Sequence, residues 1–143
     1  MSAHFGNVYF VVRDLNRTTA FYEKLFGQPV SARNRDRFAQ FALSGGSIAF
    51  LCGNYDSEHT GETEKRGYDE KYDDTAAIAK RENCGKAVIN LWTESLQKER
   101  ERILALKIAE PTEIKYLCSA SPYWYFQLSD PDGITIEITG SID

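Results

Sequence analysis

A chain of 143 residues with 42% hydrophobic content is long enough to bury one substantial core, and none of its apolar runs approaches the length needed to cross a bilayer. Lys and Arg number 17 against 21 Asp and Glu, a net charge of −4 with no clustered basic face, so a nucleic-acid partner is excluded as an expectation. Met1-Ser2-Ala3-His4 lacks the basic and apolar stretches of a signal peptide, and the cysteines Cys52, Cys84 and Cys118 are odd in number without CxxC spacing, which points to reduced thiols in a cytoplasmic protein.

Residues 7–12, Asn-Val-Tyr-Phe-Val-Val, are rich in β-branched and aromatic types and read as a strand. A helix follows over 16–26, where Thr18, Phe21, Tyr22, Leu25 and Phe26 recur with helical spacing and Gly27 supplies the stop. Short strands are expected near 29–32, over 38–43 and over 48–52, the last two joined by the turn Ser44-Gly45-Gly46-Ser47.

Residues 53–85 break the pattern with a long stretch crowded with both charge signs. Two readings stand: a solvated linker, or a lid or dimer arm for which Tyr55, Tyr68 and Tyr72 are apolar handles. Within it, residues 75–81 have the composition for about two helical turns.

The second half repeats the first: a strand over 87–92, a helix near 95–107, strands over 112–117 and 123–128, and a final strand over 134–138. The second helix sets Leu96, Ile103, Leu106 and the stem of Lys107 on one side, with Gln97, Lys98, Glu101 and Arg102 toward solvent. Before the final strand, Asp130-Pro131-Asp132-Gly133 has the chemistry of a tight turn, Pro fixing φ and Gly free to take φ > 0. In that strand Ile134, Ile136 and Ile138 alternate with Thr135, Glu137 and Thr139. A carboxylate on the polar face is solvated, paired, or aimed into a cavity as acid, base or metal ligand.

The strand, Asp14-Leu15, the helix with Phe21-Tyr22, and Phe26-Gly27 together resemble the first half-module of the vicinal-oxygen-chelate superfamily. That superfamily includes glyoxalase I, extradiol dioxygenases, fosfomycin-resistance enzymes and bleomycin-resistance proteins. Asp130-Pro131-Asp132-Gly133 with Glu137 resembles its closing hairpin. The resemblance implies an α+β fold in which two βαβββ modules form a cupped eight-stranded mixed sheet with helices on the convex side. The first module spans 1–52, a charged connector or lid 53–85, and the second module 86–143, in one compact domain. It also implies a homodimer, because relatives of this length commonly complete their cavities across a two-fold axis.

In that superfamily each module offers His, Gln or Glu at the cavity end of its strands, and substrate chelates the ion. By motif position, Asn7 falls at the first-strand place, Val88 at the place usually held by His, and Glu137 at the closing place, while residues 47–51 offer no ligand. Glu137 with a weak amide oxygen from Asn7 leaves a divalent ion short of donors, so no metal and no cofactor are expected. His4 and His59 read as surface or capping residues, with His59 a ligand only if the insert folds inward.

Strand parity then gathers Asn7, Tyr9, Asn90, Trp92, Tyr123, Tyr125, Gln127 and Glu137 as ligand-binding candidates. Aromatics with that parity pack a core, a dimer interface, or a pocket for a flat or amphipathic organic ligand. The expected function is a metal-free small-molecule-binding protein of the glyoxalase and bleomycin-resistance type. The alternatives are a metal-dependent lyase, isomerase or dioxygenase in which Glu137 is catalytic, and a structural subunit with a vestigial cavity.

Overall fold

The computed structural model describes residues 6–59, 75–82, 87–118 and 122–142. Tyr68, Tyr72, Cys84 and His4, with most of the expected lid, lie outside them. The chain divides into two compact units, residues 1–81 and 82–143.

In the first unit, β1 (Val8–Val12) leads into α1 (Leu15–Phe26), followed by β2 (Ala32–Asn34), β3 (Phe38–Leu43) and β4 (Gly46–Cys52). The sheet order is β1-β4-β3-β2, with β1 and β4 parallel and the remaining pairs antiparallel. Asp14 starts α1 by accepting a bond from the Arg17 N–H, and Gly27 ends it at φ 66°. The helix buries Leu15, Thr18, Phe21, Tyr22 and Leu25, close to the stripe its spacing predicts. Tyr22 is the centre of this core: its ring lies 4.4 Å from Phe50, 5.1 Å from Phe21 and 5.3 Å from Phe26. Such rings each contribute about 1.5–3 kcal/mol by burial, before their mutual contacts are added.

The described parts of the charged insert belong to this unit. Its first piece, α2 (Tyr55–Glu58), carries the buried Asp56 to the Arg37 guanidinium at 2.9 Å. The His59 ring stacks on Tyr55 at 4.1 Å and its Nδ1 sits 2.9 Å from the Tyr55 carbonyl, so this histidine caps a helical turn. The second piece, α3 (Thr75–Ala79), is pinned to the ends of β4 and β1: Thr75 Oγ1 donates to the Gly53 carbonyl at 2.8 Å and Arg13 Nε to the Ala79 carbonyl at 3.0 Å. A Cβ on Gly53 would stand 2.3 Å from the Thr75 carbonyl oxygen, so only glycine permits that approach.

The second unit runs β5 (Val88–Thr93), α4 (Leu96–Leu106), β6 (Lys115–Cys118), β7 (Pro122–Ser129) and β8 (Thr135–Gly140). Its sheet order, β5-β8-β7-β6, repeats that of the first unit, again with one parallel and two antiparallel pairs. The fold is α+β and built of two βαβββ modules, as the resemblance implies. Here the core is mostly aliphatic: Leu96 and Ile103 of α4 are buried with Phe126, Leu128, Ile136 and Ile138 of the sheet beneath. Two short strands lie a few residues later than expected, β2 at 32–34 instead of 29–32 and β6 at 115–118 instead of 112–117.

Candidate functional site

Three strands of the second sheet deliver one polar row. Glu137 of β8 stands opposite Asn90 on the parallel neighbour β5 and opposite Gln127 on the antiparallel neighbour β7. Directly opposed side chains on one face lie within about 5.5 Å at Cβ, close enough for short amides to meet a carboxylate. Asn90 Nδ2 donates to Glu137 Oε1 at 3.1 Å, and Gln127 Nε2 donates to Oε2 at 3.1 Å. Ile136 and Ile138 are buried on the other face, so the alternation holds Glu137 on the open one. Among the described residues, no Lys or Arg forms a salt bridge with this carboxylate.

The row borders an open depression of about 650 Å³ walled by Val88, Asn90, Trp92, Tyr123, Glu137 and Thr139. Trp92, one strand step beyond Asn90, is 68% exposed, an unusual state for the largest apolar side chain. The depression continues onto Trp124, Gly140 and Ser141. Strand parity assigns Trp124 to the opposite face, yet it lines the depression, across the ladder from Gly140. Gly140 is itself obligatory, since a Cβ there would sit 2.3 Å from the Thr93 carbonyl oxygen. No feature of the linear pattern announces that wrap-around.

The other candidates are placed as follows. Gln127 does not line the depression and acts on it through Glu137; Tyr125 leans on Tyr123 with ring centres 5.6 Å apart. Asn7 and Tyr9 belong to the first unit, where Asn7 precedes β1 instead of lying in it and Tyr9 is 58% exposed.

Among the described residues, the donors at hand do not complete a set for the divalent ion that the resemblance implies. Glu137 is the one carboxylate of this row, Val88 supplies no donor, and among the described residues no three His, Cys, Asp or Glu side chains converge. Three or more such donors are the usual requirement.

A family model described as the Glyoxalase/Bleomycin resistance protein/Dioxygenase superfamily matches residues 3–138. None of the curated proteins matches the sequence. Among solved structures, a glyoxalase/bleomycin resistance protein/dioxygenase from Nocardioides is similar with TM-score 0.65 and 19% identity, over 100% of this chain and 86% of that one. A lactoylglutathione lyase from Agrobacterium tumefaciens gives 0.64 and 14%, over 98% and 95%. An integron cassette protein from the mobile metagenome of V. cholerae gives 0.65 and 19%, over 98% and 96%. At these identities the likeness is one of fold.

Proposed function

Because the chain belongs to the Glyoxalase/Bleomycin resistance protein/Dioxygenase superfamily, we propose that it is one of the binding members of that fold. It holds an aromatic or amphipathic organic ligand in the depression of the second unit, without a metal and without turning the ligand over. The observation that carries this reading is the grip of Asn90 and Gln127 on the two oxygens of Glu137. Two amides fix the plane of the carboxylate and use one lone pair on each oxygen, leaving the rest for a ligand. Trp92 and Tyr123 add the flat apolar surface that small-molecule sites employ.

The test is metal uptake. The protein and its Glu137→Gln variant are equilibrated in turn with Zn²⁺, Ni²⁺, Mn²⁺ and Fe²⁺, freed of unbound ion by gel filtration and assayed by elemental analysis. Substoichiometric retention, equal in both proteins, is the expected result. One equivalent held by the parent and lost from the variant would sink this reading in favour of a metal-dependent lyase, isomerase or dioxygenase centred on Glu137.

A further inference from the structure

We infer that the ligand of this site is an elongated organic cation, an ammonium or amidinium joined to a planar ring system. The inference rests on the binding reading above and adds the charge and shape of the occupant.

The charge follows from the partners of Glu137. Its two hydrogen-bond donors, Asn90 and Gln127, are both neutral, and no described Lys or Arg neutralises it. On its own strand the flanking Thr135 and Thr139 bring no positive charge; the cation that register places on this face is Lys115 of β6, two strands from β8 in the Thr139 row, and it forms no salt bridge with Glu137. A half-buried carboxylate satisfied in hydrogen bonds but not in charge attracts a cation and repels an anion.

The shape follows from the ladder. Trp92 pairs with Thr139, one row above the Asn90 and Glu137 row, and Tyr123 lies beyond Tyr125 on the far side of Thr139. A two-residue step along a strand is about 6.6 Å, so aromatic surface begins about 7 Å from the carboxylate and continues for a further step. A charged head at Glu137 therefore places its ring system against Trp92, with Tyr123 next along the same direction. Aromatic faces also attract the cation itself.

Three probes that differ only in their head group separate these ideas: 2-(2-naphthyl)ethylamine, the corresponding alcohol, and the corresponding carboxylate. Each is titrated at low and high salt, and binding is read by NMR from the side-chain amides of Asn90 and Gln127 and the indole N–H of Trp92. The amine is expected to bind at least about tenfold more tightly than the alcohol, with the carboxylate weakest and the preference shrinking as salt rises. Glu137→Gln, with a dispersed spectrum confirming the fold, should bring the amine level with the alcohol. Trp92→Ala, at an exposed position, should weaken amine and alcohol alike. Equal binding of all three probes, unmoved by Glu137→Gln, overturns the cation and leaves the pocket standing. No response of Asn90, Gln127 or Trp92 to any probe overturns the pocket and the cation together.

Discussion

Asp130 sets the position of Glu137 without touching it. Although carboxylates are rarely buried, this one is only 5% exposed, and its Oδ1 accepts from the backbone N–H of Asp132 and of Ile134, each at 2.8 Å. Gly133 completes the turn at φ 80°. Replacing Asp130 with Ala removes the acceptor of the buried Ile134 N–H, so Asp130→Ala should cost about 2 kcal/mol in urea unfolding. It should also shift the Asn90 and Gln127 side-chain amide resonances, because the start of β8 moves. The sequence marks Asp130 as a turn residue and no more, since its burial depends on the core that closes around it. Glu137 stands out by contrast, as an acid in an alternating isoleucine strand, whereas Asn90 and Gln127 carry the right parity without any sign that they share its row. Parity is local; register is set by the whole sheet.

The two long helices show the same contrast at the next scale. Both begin on a side-chain cap, Asp14 for α1 and Ser95 for α4, and both spans fall within a residue or so of those expected from sequence, because caps and apolar spacing are written within the helix itself. They end differently. Gly27 closes α1 in the left-handed region at no steric cost, but α4 closes on Lys107 at φ 53°. Lys107→Gly should therefore stabilise the protein by about 0.5–1 kcal/mol, read as a higher urea midpoint with an unchanged m-value. An unchanged or lower midpoint would count against strain at that cap. The strands β2 and β6 are the elements least well placed from sequence; each is short and is defined by its ladder with β3 or β7. The insert pieces α2 and α3 are likewise held by partners distant in sequence, Arg37 and Arg13.

Across the whole molecule the same topology occurs twice, and in each unit the last strand made is an interior one: β4 lies between β1 and β3, and β8 between β5 and β7. Native-state hydrogen exchange should find slower amides in β4 and β8 than in β2 and β6, because opening an interior strand breaks two ladders. Comparable rates in all four would argue against the sheet orders described here. The interior position of β8 also bears on synthesis. As the chain leaves the ribosome, β5, α4, β6 and β7 emerge first, and until residues 135–140 follow, β5 has no neighbour in its own sheet. Asn90 and Gln127 then face a vacant lane that only the strand of Glu137 fills. The carboxylate and the two amides that grip it can thus meet only once β8 is in place, so a nascent chain short of β8 lacks the anionic group on which the proposed binding rests.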